Sequence, residues 1–520
     1  MSAPPSVDVR RGPRRDSRPL GVVVAAVAVA ALAVVPLGFV VWSTVDAGWG
    51  EVRRLVLRPR TAELLWNTVR LTGGAVVLSA VLGTGAAWLV ERSSVPGRRL
   101  WTVLMAAPLA VPAFVNSYGW VSLVPAANGY FGALVIVTLS YFPFVYLPVA
   151  AALRGLDPAL EETAHSLGDG PFRTFRRTVL PQLRPALAGG CLLVALHLLA
   201  EFGALQLLRF PTFTTAIYDQ YQSSFSGPAA NMLAAVLVLC CLVLLLGELR
   251  LRGNARYSRV GAGVARPPAR VRLGPWTGPA LLALGALAAL ALGVPLGSLT
   301  YWLVTGTSSD LSMDLLLETT GTSLGLGALA ALCAVIAAIP VAWLANRHRG
   351  HLTTLLERST YFGNALPGIV VALALVTLGI RVVPMWYQTI VLLVAAYVIL
   401  YLPRAVVNVR AAFAQAPPVL EDVAHSQGLG RLPTLLRVTL PLAAPGLGAA
   451  AALVFIAVVT ELTATLLLSP IGTRTLATQF WTDSDSAAYA AAAPYAAVMV
   501  LLSAPATYLL TRTPRRSSTR

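Results

Sequence analysis

Twelve apolar runs, each long enough to cross a bilayer, leave this chain few alternatives to a bundle of membrane-spanning helices. Six lie at Leu20–Trp42, Trp66–Val90, Leu100–Val124, Phe131–Leu153, Ala186–Leu208 and Ala229–Leu249. A basic linker containing Gly and Pro, Arg250–Arg272, separates them from six more. These are Pro275–Val304, Glu318–Ala345, Thr354–Ile380, Tyr387–Val409, Ala443–Leu468 and Ala487–Leu510. About 20 apolar residues suffice to span the hydrocarbon core. Only 12% of the 520 residues are charged, whereas a soluble domain carries about a quarter. The mean hydropathy is +0.72. The expected fold class is an all-α membrane protein of about 12 transmembrane helices.

The net charge of +17 comes from arginine alone, since the sequence contains no lysine. Its arginines cluster in loops between apolar runs, which is the positive-inside pattern of a membrane protein and argues against a nucleic-acid surface. Glu91–Arg99, the central linker, Asn346–His351 and the C-terminal tail fall on one side, the expected cytoplasm. Glu51–Arg60 is a basic exception on the other side. The first run is longer than the ~7–15 apolar residues of a cleavable signal, so it reads as a spanning helix with its basic N-terminus in the cytoplasm. An Ala-, Arg-, Gly- and Pro-rich composition without lysine suits a GC-rich bacterial genome, and hence a bacterial plasma membrane. Cys191, Cys240, Cys241 and Cys333 all sit inside apolar runs and read as small core residues.

The chain is also duplicated. The polar stretch Leu156–Leu187, LDPALEETAHSLGDGPFRTFRRTVLPQLRPAL, has a second copy at Ala416–Leu447. Glu161 and Glu421 (421 − 161 = 260), His165 and His425, Gly168 and Gly428, and Pro181 and Pro441 are all spaced alike. The same spacing links Glu201 to Glu461, Thr215 to Thr475 and Tyr221 to Trp481. Upstream, Ala87-Trp88-Leu89 matches Ala342-Trp343-Leu344, Pro112 matches Pro367, and Tyr146-Leu147-Pro148 matches Tyr401-Leu402-Pro403 (401 − 146 = 255). This matching puts five extra residues of the second half just before its polar loop. Six crossings return the chain to its starting side, so the halves form a parallel repeat with both loops in the cytoplasm. The expected organisation is a disordered basic N-terminus over 1–19 and a first half over 20–250. A linker over 251–274, a second half over 275–511 and a basic cytoplasmic tail over 512–520 complete it.

The loop has a legible local logic. Asp157 is placed to cap a helix begun by Pro158, and Glu161 and Glu162 lie near its positive end. Leu160, Ala164 and Leu167 recur on one apolar face. Gly168 is placed to end the helix in a left-handed conformation. Pro171 then starts a second helix with Phe172, Phe175 and Val179 on one face and Arg173, Arg176 and Arg177 elsewhere. Leu180-Pro181 reads as a break before membrane re-entry at Ala186. A hairpin resting on headgroups needs no matched copy, whereas insertion of a helix into a groove on each of two identical partners does.

These loops resemble the EAA signature of type I ABC importer permeases, through Glu162-Thr163-Ala164, Gly168, Thr178 and Leu180-Pro181. The second copy matches through Asp422-Val423-Ala424, Gly428, Val438 and Leu440-Pro441. The departures are Thr163, Val423, Asp422 and Thr178, and the spacing is intact. The resemblance implies two such transmembrane domains in one chain, driven by two copies of an ATPase subunit and supplied by an extracytoplasmic substrate-binding protein. Glu161, Glu162, Ala164, Gly168, Leu180 and Pro181 would form one ATPase-coupling loop. Glu421, Asp422, Ala424, Gly428, Leu440 and Pro441 would form the other. The chain contains no G-x-x-x-x-G-K-[ST], so it is expected to bind no cofactor and hydrolyse no ATP itself. Ala200–Tyr221, Pro108–Trp120 and Tyr141–Leu153 resemble ferric-iron permeases in particular, with thiamine, a phosphonate or a polyamine as alternative cargoes. A 12-helix secondary transporter is the rival from another class, but it has no use for matched docking loops. Glu201 and Glu461 lie within apolar runs at matched positions, where a carboxylate is costly unless it faces water or the bundle interior. They are expected to border the translocation path, the alternative being a bond to a neighbouring helix, with His197 as a hydrogen-bond partner of Glu201 or a core residue.

Overall fold

In the computed structural model the described residues are 20–156, 158–222, 227–252, 270–306, 312–348, 350–416 and 418–511. The termini, most of the linker and Asp157 lie outside them, and with them the expectations of disorder and of an Asp157 cap. Among the described residues the secondary structure is helical, apart from one isolated bridge between Ser93 and Val271. Helices suit a bilayer because they satisfy their backbone hydrogen bonds internally.

Ten helices are long and apolar enough to cross a membrane, and two bent pairs bring the number to 12. The third expected span of each half is therefore not straight. Arg98–Ala110 meets Ala113–Leu123 at 90°, and His351–Gly363 meets Gly368–Arg381 at 99°. Pro112 and Pro367 stand at these corners, both with ψ near 144° (143° and 144°), and each leads into the second member of its pair. A proline pushes the residue before it out of helical backbone, and Val111 and Leu366 are accordingly extended.

Each half is built on three packed helices. Pro59–Arg92 lies against Pro143–Gly155 and Leu180–Ala200, and Met313–Arg347 lies against Ile390–Ala414 and Leu440–Val459. Small residues let membrane helices approach closely. A Cβ on Gly83 would stand 2.8 Å from Val145 Cβ and 2.9 Å from the Tyr146 nitrogen. Gly83→Leu is therefore expected to lower thermal stability by more than the ~1–3 kcal/mol of ordinary overpacking. Gly73→Leu, where nothing lies within 4 Å, should leave it unchanged. Fluorescence-detected size exclusion after heating reads the difference, and equal midpoints for both variants would contradict the packing.

The halves are interlocked. Leu20–Asp46 packs on Met313–Arg347, His351–Thr360 and Gly368–Arg381 of the second half. Reciprocally, Val294–Thr305 packs on Ala113–Leu123, with Ser122 and Ser298 hydroxyls 2.8 Å apart. The basic exception Glu51–Arg60 overlaps a short helix, Gly48–Val56, whose Trp49 is 79% exposed. Two of its arginines are offset by carboxylates, Arg54 by Glu51 and Arg60 by Glu63.

Two sequence expectations need correction. Leu180-Pro181 is not a break: helix runs from Pro171 to Ala200, with a π-turn at Phe175–Val179, and likewise from Arg431 to Val459 through Leu435–Thr439. Proline cannot donate to the i−4 carbonyl and its ring crowds it. The wider turn, in which the Leu180 N–H reaches the Phe175 carbonyl, lets the helix pass through. Nor do five extra residues precede the second loop. The helical stretches Gly129–Gly155 and Ile390–Ala414 begin and end 260 positions apart to within one residue. The added length lies at the other end of the bundle, where Gly368–Arg381 outruns Ala113–Leu123 and a 3-10 turn, Pro384–Trp386, follows.

Candidate functional site

The two polar loops fold alike. Helices Pro158–Ser166 and Pro418–Ser426 each end at a glycine with positive φ, +88° at Gly168 and +83° at Gly428. The Asp169 N–H donates to the Ala164 carbonyl at 3.0 Å and the Gly168 N–H to that of His165 at 3.0 Å. Leu429 and Gly428 repeat this with Ala424 and His425 at 3.1 and 3.0 Å. This is the Schellman arrangement, which satisfies the last carbonyls of a helix and needs a left-handed residue. Each turn is closed by a histidine: Nδ1 of His165 donates to the Asp169 carbonyl at 3.0 Å, and that of His425 to Leu429 at 2.9 Å.

Burial divides the expected loop residues into two groups. Ala164 and Ala424 are buried, whereas Glu162, Asp422, Gly168 and Gly428 are exposed. Leu167 does not join the apolar face assigned to it; it sits at the turn, 82% exposed. Glu161 and Glu421 point back into the bundle. Glu161 is ion-paired with Arg92 and Glu421 with Arg347 at 2.7 Å, each arginine standing at the end of a long membrane helix. Thr439 adds a hydroxyl to Glu421 at 2.6 Å, where the first half has Val179. Leu180, Pro181, Leu440 and Pro441 lie in the helices that leave the loops.

At the far ends of those helices the chain breaks again. Leu180–Ala200 stops before Glu201, and Leu440–Val459 stops two residues before Glu461. Each carboxylate then accepts the backbone N–H three residues on, Ala204 at 2.9 Å and Ala464 at 3.0 Å, so it sits at the positive end of a short helix. A tyrosine hydroxyl also donates to each carboxylate: Tyr141 to Glu201, and Tyr401 to Glu461 at 2.8 Å. Both carboxylates line one cavity of about 380 Å³ between the halves, together with His197 and Arg404. His197 is not the partner of Glu201. Its Nδ1 donates to the Leu193 carbonyl at 2.9 Å, and its ring lies 4.3 Å from that of Phe144.

An aromatic layer joins the halves beside the cavity, with Phe114 and Phe202 in its lining. Phe202 meets Trp481 at 5.2 Å and Phe114 meets Phe480 at 5.4 Å, across the two halves. A Cβ on Gly203 would stand 2.8 Å from Leu462 and 2.9 Å from Phe114, so only glycine allows this approach. Among the described residues no cluster of three or more His, Cys, Asp or Glu is placed to hold a metal ion.

Residues 75–249 and 332–518 each match the family described as binding-protein-dependent transport system inner membrane component. The chain belongs to that family. The permease is 40% identical to the Fe(3+)-transport system permease protein FbpB 2 of Haemophilus influenzae, over 91% of this chain and 94% of that protein. It is also 30% identical to the sulfate transport system permease protein CysT of Salmonella typhimurium, over 44% of this chain and 88% of that protein. The Escherichia coli protein of the same name is 29% identical over the same shares. The two matched segments of the permease each contain one polar loop and one cavity carboxylate.

The residues that sequence reasoning missed are the partners. Arg92 and Arg347 end the matched stretches AWLVER and AWLANR, three residues beyond the repeated Ala-Trp-Leu. Tyr141 and Tyr401 were hidden by a false match. The first half carries Tyr-x-Pro twice, at Tyr141-Phe-Pro143 and Tyr146-Leu-Pro148. The shared hydrogen bond to the carboxylate identifies Tyr141, 260 positions before Tyr401, as the true counterpart.

Proposed function

We propose that this permease forms the translocation path of an ATP-driven, binding-protein-dependent importer of ferric iron in a bacterial plasma membrane. The observation that carries the cargo is the likeness, over nearly the whole of both chains, to a permease named for Fe(3+) transport. The sulfate-transport relatives align with less than half of this chain. Two ATPase subunits dock on Pro158–Ser166 and Pro418–Ser426 at the cytoplasmic side, where both termini also lie. An extracytoplasmic binding protein delivers the ion at the other end. The chain itself hydrolyses no ATP and holds no cofactor.

What supports a direct mechanical link is the continuity of the helices. Pro171–Ala200 is one rod of 30 residues, about 45 Å at 1.5 Å per residue. Its near end carries the docking loop and its far end carries Glu201. The second half repeats the arrangement with Glu461. Closure of the ATPase pair draws the two loops together and tilts both rods, so the carboxylates and the aromatic layer shift between inward and outward access. Glu201 and Glu461 then border the path taken by the cation, with Tyr141 and Tyr401 fixing their orientation.

Uptake of radioactive ferric iron into proteoliposomes containing permease, ATPase and binding protein tests this reading. ATP-dependent accumulation of iron, with neither sulfate nor thiamine accumulating, is expected. Accumulation of sulfate or thiamine instead of iron would overturn the cargo. Glu201→Gln with Glu461→Gln keeps one oxygen acceptor for each backbone N–H, replaces the oxygen facing each tyrosine by an amide that donates to its hydroxyl, and removes both charges. It is expected to reduce uptake by about tenfold or more, equivalent to at least one charge-assisted contact of ~1.5 kcal/mol. Unchanged uptake in an assembled complex would leave the carboxylates a purely structural role.

A further inference from the structure

A second cavity, of about 720 Å³, lies on the flank of the first loop. One wall is a face of Pro59–Arg92, formed by Ala80, Thr84 and Trp88 and ending on Arg92. Phe175, Val179 and Leu187 form the facing wall. From Ala80 to Arg92 the groove is about 18 Å long, at 1.5 Å per residue. That is close to the ~15 Å of hydrocarbon in one leaflet. Its apolar end adjoins Val77 and Val81, which are 61% and 64% exposed on the surface offered to lipid.

The other end is polar and incomplete. Arg92 is only 4% exposed. One terminal nitrogen pairs with Glu161, and the other, Nη1, has no partner, nor does the Oγ1 of Thr84 in the same wall. A buried guanidinium nitrogen without an acceptor is costly, and an anionic oxygen removes that cost. The surroundings favour an anion. Arg176 and Arg177 are exposed on the helix that forms the facing wall, and Arg270 and Arg272 flank Val271, which borders the cavity. Val271 is held there by its N–H on the Arg92 carbonyl at 2.8 Å and its carbonyl on the Ser94 N–H at 3.0 Å. The second half differs at the corresponding positions. Ile339 and Pro340 replace Thr84 and Gly85, and Thr439 replaces Val179 and bonds to Glu421.

The geometry points to a binding site for one anionic phospholipid on the first half, with an acyl chain in the groove and the phosphate on Arg92 Nη1. Because the same guanidinium anchors Glu161, an occupied site braces the first docking helix. Anionic lipid therefore raises the efficiency of coupling through that loop. The functional part rests on the ATPase-docking reading of the loop, whereas binding is measured without it.

The test uses the full-length permease in nanodiscs with a photoactivatable phosphatidylglycerol, and separately with the phosphatidylcholine analogue. Labelled peptides are then mapped. Phosphatidylglycerol is expected to label the segment from Ala80 to Arg92, and phosphatidylcholine to label it about tenfold less, the factor given by ~1.4 kcal/mol of headgroup discrimination. Thr84→Ile with Gly85→Leu fills the groove, where a Gly85 side chain has free space, and is expected to abolish the difference. In proteoliposomes with the ATPase, uptake by the native chain should rise when phosphatidylglycerol is added, and uptake by the filled variant should not. Equal labelling by both lipids, or labelling that survives the filled groove, overturns the site. A groove that takes no lipid and instead cross-links to the ATPase overturns it as well. Selective labelling without any effect on uptake would keep the site and remove its coupling role.

Discussion

Replacing Gly168 and Gly428 together by valine is expected to abolish ATP-driven uptake while the permease still folds and inserts. Both glycines hold φ above +80°, at +88° and +83°, a region that costs an L-residue about 1–2 kcal/mol, and a β-branched one at least that. Two such sites cost about 2–4 kcal/mol together, or about 30- to 1,000-fold in the population of correctly shaped loops. Crowding is not the cause, because nothing lies within 4 Å of a Cβ at either position. The strain is therefore relieved by re-aiming the loop rather than by unfolding the bundle. Asparagine tolerates left-handed backbone better than valine does. The ordering Gly, then Asn, then Val should appear in uptake per ATP hydrolysed, and indistinguishable values for all three would remove the turn from the coupling route.

The second large effect concerns the anchors behind the loops. Arg92→Ala leaves the partly buried Glu161 carboxylate without its ion-pair partner, a loss that approaches the ~3–5 kcal/mol of a fully buried pair only to the extent that water is excluded. Arg347→Ala should be milder, since Thr439 still donates to Glu421 at 2.6 Å. Recovery of ATPase with the purified permease is expected to fall far more for Arg92→Ala than for Arg347→Ala. Arg92→Leu combined with Glu161→Met removes both charges and should restore much of that recovery, because losing a whole buried pair is often nearly neutral. If the paired substitution were as damaging as the single one, the arginine would be acting through something other than Glu161.

How much of this was legible in the sequence depended on the range of the interaction. The apolar runs and the duplicated loop are local patterns, and the helices and both Schellman turns follow them closely. Leu180-Pro181 reads locally as the end of a helix, whereas the π-turn that ends two residues before Pro181 absorbs the proline and the rod runs on from Pro171 to Ala200. The corners at Pro112 and Pro367 show the opposite outcome, since there the chain does turn sharply, by 90° and 99°. The type of residue alone does not separate the two cases; the backbone before it does, extended at Val111 and Leu366 but helical at Leu180. Glu201 stands out in the sequence as a carboxylate in an apolar run, and one of the two readings of His197 made it the partner of Glu201; the partner is instead Tyr141, 60 positions away. Arg92 and Glu161 lie on helices that meet only in the folded bundle, and no periodicity connects them. The crossing of each first helix onto the opposite half was invisible for the same reason.

Cross-linking at the two loop tips shows whether each loop engages its own ATPase subunit. Cys191, Cys240, Cys241 and Cys333 are unpaired and are first replaced by serine or alanine. Leu167→Cys and Gln427→Cys are then introduced singly and together, at matched exposed turn positions, and treated with a short bifunctional thiol reagent in the purified complex. One ATPase subunit captured by each single variant and two by the double variant are expected. No captured ATPase, or no more with the double variant than with either single one, would contradict that engagement.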